Sequence, residues 1–319
     1  MFKIIGKIFL FLAWFNNKGI LADFSRKRLV VIVGPTAIGK TRVAIRVAQA
    51  LQTEIISCDS RQMYREMNIG TAVPDSSELS AVTHHFIGNL SVHDYYNVSM
   101  FEQESLALLD RLFLKYPTVV MTGGSGLYVD ALCKGIDDFP TVDMEIRETV
   151  TGWFEKEGIE YLRRQLKRLD PEHYSKVDLR NHKRIMKAIE VSLQTGQPYS
   201  SFLTSQSRKR PFDIITIGLT RPREELFSNI NARTSLMMEK GLLDEVDALF
   251  AFRHLNALNT VGYKELFAYR EGQSDLDTAI ELIRRNTRRY AKRQLTWFSR
   301  NTDTIWMHPD DIDGITALL

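Results

Sequence analysis

Four short runs of aliphatic residues punctuate the chain: Leu29 to Val33, Glu54 to Ser57, Thr118 to Met121 and Ile214 to Leu219. Each is too short for a buried helix, and most stop at glycine or polar turn residues, so they read as buried strands. After the first run, Val43, Ala44, Val47, Ala48 and Leu51 recur at helical spacing, which predicts a helix with one apolar face. Strands separated by helical segments predict an α/β fold with a parallel, doubly wound sheet. From about Asp138 to Ser207 the strand pattern stops and charged amphipathic stretches take over, such as Trp153 to Leu169 and His182 to Gln194. These predict a helical insertion. Beyond the fourth strand the pattern is helical again, from Arg223 through Phe250 and from Thr278 through Phe298, and these helices are expected to pack back onto the sheet.

Composition adds limits. Of 319 residues, 44% are hydrophobic and 25% charged, the mix of a folded globular protein. Ile4 to Phe15 is mostly apolar and flanked by Lys3, Lys7 and Lys18, but it is too short to span a bilayer and lacks a small-residue cleavage site. Residues 1–26 are therefore set apart as a tail or a mis-assigned start, and no stable membrane association is expected. The only cysteines are Cys58 and Cys133, and with the seven histidines they make no zinc spacing, so a reducing, cytoplasmic compartment is expected. Adjacent His84 and His85 suit packing or hydrogen bonding better than joint metal ligation. The net charge of +3 decides little, yet Arg284, Arg285, Arg288, Arg289, Lys292, Arg293 and Arg300 concentrate positive charge in one stretch.

The most informative segment is Gly34-Pro35-Thr36-Ala37-Ile38-Gly39-Lys40-Thr41. It satisfies G-x-x-x-x-G-K-[ST] between a predicted strand and a predicted helix, the context that makes this a P-loop. Backbone N–H groups and the helix dipole face an anion there, Lys40 reaches its terminal phosphate, and Thr41 can hold Mg2+. A kinase or ATPase wants an acidic residue at a neighbouring strand tip, but the third strand runs into Thr122-Gly-Gly-Ser-Gly-Leu-Tyr128. Asp59, after the second strand, is the one candidate carboxylate at the sheet edge where such folds bind ligands. From the residues alone it could serve a metal or act as a base.

Taken together, GPTAIGKT, CDSRQMY followed by IGTAVP, His84-His85, GGSGLY, Lys183 to Glu190 with Thr195-Gly196, VGYKE and AKRQLTWF resemble the tRNA dimethylallyltransferase family. The match runs in the family's order from Leu29 to Phe298. The resemblance implies a P-loop-like core, residues 27–137 and 208–319, carrying a helical tRNA-binding insertion at 138–207. It implies that the loop holds dimethylallyl diphosphate and that the prenyl group passes to N6 of the adenosine 3′ of the anticodon in tRNA. Asp59 would be the general base toward N6, and Lys40, Thr36, Arg233, the loop amides and Mg2+ at Thr41 would stabilise the leaving diphosphate. Asp59, Ser60, Arg61 and Gln62 align with the segment reading the flipped base, and Ser125, Arg147, Lys183, Arg184 and Lys187 with further tRNA contacts.

Val73 departs from the lysine of GTAKP, Asn229 from an arginine four residues before Arg233, and Asn181 from an aspartate ahead of Lys183. These departures are expected to touch tRNA contact rather than the base or the P-loop. No zinc-finger set follows the catalytic body, so the short bacterial form is implied, and nothing in the chain calls for more than a monomer. Three alternatives remain: a prenyltransferase of free adenine nucleotides, a P-loop kinase, and a non-catalytic RNA-binding module.

Overall fold

A computed structural model describes residues 26–137, 139–204 and 207–319; the expectation for the N-terminal tail lies outside them. In chain order the elements are β1 (Arg28–Val33), α1 (Lys40–Ala50), β2 (Ile55–Ser57), α2 (Ser76–Ala81), β3 (His84–His85), α3 (Val98–Leu112), β4 (Thr118–Gly123) and α4 (Gly126–Lys134). There follow α5 (Met144–Leu169), α6 (Pro171–Lys176), α7 (His182–Thr195), β5 (Asp213–Leu219), α8 (Arg223–Glu239), α9 (Leu242–Leu249), α10 (Tyr263–Arg270), α11 (Leu276–Phe298), β6 (Ile305–Met307) and α12 (Ile312–Ala317). Two compact units result, one from residues 26–133 with 210–319 and the other Lys134–Lys209.

The first unit is built on a six-stranded sheet in the order β3-β2-β4-β1-β5-β6, with every pairing parallel. β1 pairs with β4 on one side and β5 on the other, so Val31 lies between Met121 and Thr216. Leu29 through Val33 are wholly buried, as a parallel strand covered on both faces requires. Their side chains alternate between two cores. Val30 and Ile32 pack with Val43, Val47, Ile217, Ile230 and Ala291, while Leu29, Val31 and Val33 pack with Phe101, Leu109, Met121 and Phe298. A third cluster joins α9, α10 and α11 to the chain after β2 through Met67, Leu242, Val246, Tyr263 and Leu266.

The four predicted strands are present, and β4 runs on to Gly123. The edge strands β3 and β6, two and three residues long and only partly buried, lack the buried aliphatic run that marks β2. The helical pattern read from Arg223 through Phe250 is two α-helices, because Gly241 takes φ 92° between them, a left-handed conformation that suits glycine. Where the chain re-enters this unit, Arg210 is half-buried with its side chain turned inward, donating to the Leu132 carbonyl (2.8 Å), the Ala131 carbonyl (2.6 Å) and the Glu102 carboxylate (2.6 Å).

The second unit is helical. α5 bends at Gly158, with φ 71° and ψ −171°, and its Val150, Leu162 and Leu166 bury against Ile185, Ala188 and Ile189 of α7. Buried Asp170 ties the unit together by accepting from the His173 amide (2.8 Å), the Ser200 amide (2.6 Å) and the Ser200 hydroxyl (2.9 Å). Among the described residues, no helix is long and apolar enough to cross a membrane.

Candidate active site

Parallel strands that end at one edge bring their following loops together, and the carboxyl ends of β1, β2 and β4 carry Gly34, Asp59 and Gly124. Gly34 stands at φ 152°, where an added Cβ would meet the Leu219 carbonyl oxygen at 3.0 Å. The loop can therefore turn sharply over β5 only with glycine. Ala37 takes φ 63° and Gly39 φ 102°, and α1 starts at Lys40, so its free amides point out of the loop.

These loops and α8 and α11 enclose a cavity of about 400 Å³, lined by Thr36, Ala37, Gly39, Lys40 and Thr41 of the P-loop together with Ser57, Asp59, Thr122, Arg233 and Tyr290. Lys40 donates to the Pro35 carbonyl at 2.9 Å. Burial lowers its pKa to about 8; Asp59 pulls it up, and the Arg233 guanidinium pushes it down. Burial also lowers Arg233, with Asp59 opposing, and burial raises Tyr290, helped by the Asp59 carboxylate. Two cations and one carboxylate thus share one partly enclosed space, as a site for an anion beside a proton acceptor would require.

The loop after β2 is ordered by its own hydrogen bonds. Asp59 Oδ1 accepts from the Arg61 amide at 3.0 Å, and Ser125 Oγ accepts from the Ser60 amide at 2.9 Å. Gln62 Nε2 donates to the Thr71 carbonyl (3.1 Å) and the Ala72 carbonyl (2.9 Å), so its amine side is committed to the fold, while its Oε1 faces the Ser57 hydroxyl at 3.5 Å. A second cavity of about 540 Å³ adjoins the first through shared Thr36, Asp59, Thr71, Arg233 and Tyr290, and adds Arg61, Lys264, Arg289 and Arg293. Of the basic stretch on α11, Arg289 and Arg293 are the members that reach this cavity.

Gln294 on α11 lies within AKRQLTWF, but nothing in the sequence gives it a role. In the fold it is buried; its Oε1 accepts from the P-loop amide of Thr36 at 2.8 Å and its Nε2 donates to the Gly124 carbonyl at 2.9 Å. Tyr290, one helical turn earlier, lines both cavities. Asn229 corrects an expectation: it lies against the P-loop, with Nδ2 3.5 Å from the Ala37 carbonyl, rather than apart from it. Asn181 caps α7, accepting from the Arg184 amide at 3.2 Å, a place where asparagine serves as well as aspartate. Arg147 on α5 and Lys183, Arg184 and Lys187 on α7 all belong to the second unit, where Lys187 Nζ sits 5.7 Å from the centre of the Phe139 ring.

His85 Nε2 lies 2.6 Å from Glu54 Oε2, and His84 Nδ1 lies 2.8 Å from the Val82 carbonyl. Since a carbonyl only accepts, His84 carries its proton on Nδ1, and burial keeps its pKa below the ordinary value. No group of three or more His, Cys, Asp or Glu side chains among the described residues could hold a metal ion. A Mg2+ ion that keeps several waters and takes substrate phosphate oxygens does not need such a group.

The IPP transferase family model matches residues 62–301 of the chain. A tRNA dimethylallyltransferase from Bacteroides thetaiotaomicron is 50% identical over 91% of this chain and 94% of its own. The chain belongs to the IPP transferase family. The solved structure of a family member, the tRNA isopentenylpyrophosphate transferase of Bacillus halodurans, superposes with a TM-score of 0.67 at 32% identity, over 92% of this chain and 95% of that one. A eukaryotic dimethylallyltransferase acting on tRNA shares the fold at TM-score 0.75 and 23% identity, over 89% of this chain and 74% of that one. Among the residues lining the first cavity, Gln62, Arg233, Tyr290 and Gln294 fall within the matched segment, while the P-loop and Asp59 lie ahead of it.

Proposed function

We propose that the chain transfers the dimethylallyl group of dimethylallyl diphosphate to N6 of the adenosine 3′-adjacent to the anticodon in tRNA, releasing diphosphate. The observation that carries this is a single cavity in which a P-loop, Lys40 and Arg233 oppose the Asp59 carboxylate. A kinase-like phosphate grip thus faces a proton acceptor.

Lys40, Arg233, Thr36 and the loop amides from Gly34 to Thr41 would hold the diphosphate, and the charge on the bridging oxygen grows as the C1–O bond breaks. Fixed cations and N–H groups aimed at that oxygen stabilise the transition state more than the ground state. The exocyclic N6 attacks C1, the C–O bonding pair leaves with diphosphate, and the surplus N6 proton passes to Asp59. Adenine's amine is a poor nucleophile because its lone pair is delocalised, so a carboxylate accepting from N6–H assists the attack. Mg2+, held at Thr41 and by the phosphates, would supply further charge neutralisation there.

The acceptor base must leave its stack to reach this depth, which a single-stranded anticodon loop permits. Ser60, Arg61, Gln62 and Ser125 would read it, while Arg147, Lys183, Arg184 and Lys187 would contact tRNA from the second unit. The chain would act as a monomer in the cytoplasm, where tRNA and the donor meet.

The test is incubation of the purified protein with Mg2+ and radiolabelled dimethylallyl diphosphate, in parallel with total tRNA, AMP and ATP. Label mapping to the base beside the anticodon is the expected result. Label in AMP or ATP alone would move the activity to free nucleotides, and no label in any arm would leave the P-loop to a phosphoryl-transfer enzyme.

A further inference from the structure

Glu245, on α9, lines neither cavity, yet its carboxylate gathers an unusual set of donors. Oε2 accepts from the Asn68 amide (2.9 Å) and the Ile69 amide (2.7 Å), and Oε1 accepts from the Gly70 amide (2.9 Å) and the Tyr263 hydroxyl (2.6 Å). Successive backbone amides converging on one carboxylate form an anion nest, here filled from within the protein. Tyr263 closes the other side: it is fully buried, and a Cβ on Gly70 would stand 2.6 Å from its ring.

What this nest holds is the turn that shapes the acceptor side of the site. The Ala72 amide donates to the Ile69 carbonyl and the Val73 amide to the Asn68 carbonyl, both at 3.0 Å. Ala72 itself is left-handed at φ 52°, a conformation that persists in a non-glycine residue only when its surroundings over-determine it. Thr71 and Ala72 line the first cavity, and their carbonyls take both N–H groups of Gln62. The connection therefore runs from Glu245 through three amides to two carbonyls and on to the side chain placed beside Asp59. The P-loop stands outside it, tied instead by Gln294.

We infer that Glu245 is a positioning residue for the acceptor half of the site: it fixes the turn at residues 68–72, and through it the direction of Gln62, without touching either substrate. This rests on the proposed prenyl transfer to tRNA. The decisive comparison is Glu245→Gln, which keeps the shape but replaces one acceptor oxygen with an NH2 facing the amides. Its tRNA KM is expected to rise about ten- to a hundredfold, the scale of a displaced positioning group, while the KM for dimethylallyl diphosphate stays within about twofold, because the donor's groups keep their own supports. Hydrogen exchange at residues 68–72 should quicken and that at 34–41 should not.

A fall in kcat with both KM values unchanged would mark Glu245 as merely structural and overturn the inference, as would unaltered exchange at 68–72. Should Glu245→Gln not fold, Tyr263→Phe removes one donor to the same carboxylate and keeps the ring; a tRNA KM raised about threefold, the worth of one hydrogen bond, supports the inference, and no change overturns it. If the unaltered protein prenylates no tRNA, the proposed function fails, and exchange at 68–72 alone then decides the clamp.

Discussion

Lys40 gives the chemistry a pH signature that can be worked out in advance. With its pKa lowered to about 8 by burial, the free enzyme carries this ammonium on about nine molecules in ten at pH 7 and about one in ten at pH 9. Only the charged form meets the diphosphate, so kcat/KM for the donor should fall about tenfold between those values. Rates measured at low donor and saturating tRNA from pH 7 to 9.5 test this, with Lys40→Arg beside the unaltered protein. Arginine stays charged throughout, so the alkaline limb should vanish in that variant even though its absolute rate is lower. A flat profile to pH 9.5, or a limb that survives Lys40→Arg, would refute the assignment. The sign on folding is opposite: between about pH 8 and the ordinary lysine value, the unfolded chain keeps a proton that the folded one has lost, so this residue adds stability as pH rises through that window.

Asp59→Ala should lower turnover by about a hundredfold or more while tRNA binding, followed by filter retention, changes little. Arg233→Met should lower kcat by about a hundredfold, the usual loss for one group that stabilises transition-state charge, and unaltered single-turnover rates would remove Arg233 from the mechanism. Gln294→Leu leaves the part-buried Thr36 amide and the buried Gly124 carbonyl without their partner, which costs up to about 1–3 kcal/mol for the buried group; a lower melting temperature and a raised donor KM are expected together. Chelating Mg2+ should stop transfer and spare tRNA binding, and undiminished turnover in EDTA would show that protein cations suffice.

How far the chain could be read depended on whether a residue's partners were near in sequence. The P-loop and its flanking strand and helix are consecutive, so Gly34 to Thr41 were legible from spacing alone. Asp59 was legible because a carboxylate just past a buried strand has a fixed place in such sheets. Gln294 was not, since its meaning lies in Thr36, 258 positions away. Glu245 was equally silent, because charged residues at that spacing on a helix ordinarily face solvent and its amide partners are about 175 positions distant. β3 and β6 escaped because, unlike the equally short but wholly buried β2, these edge strands carry few buried aliphatic residues. Gly241 shows the remaining gap: the glycine was visible, but a helix can carry one, and only its φ of 92° shows that the chain breaks there.

The order of strands also bears on how the enzyme comes into being. β1 receives one of its two neighbours only when β5 has been made, and the P-loop gains its Gln294 tether later still. At translation speeds of roughly 5–20 residues per second, the loop waits on the order of 10–50 s for that tether. A nascent chain therefore displays the phosphate-binding motif long before it can use it. On the proposed function, a polypeptide still short of Gln294 would lack a finished donor site while it sits on a ribosome crowded with tRNA.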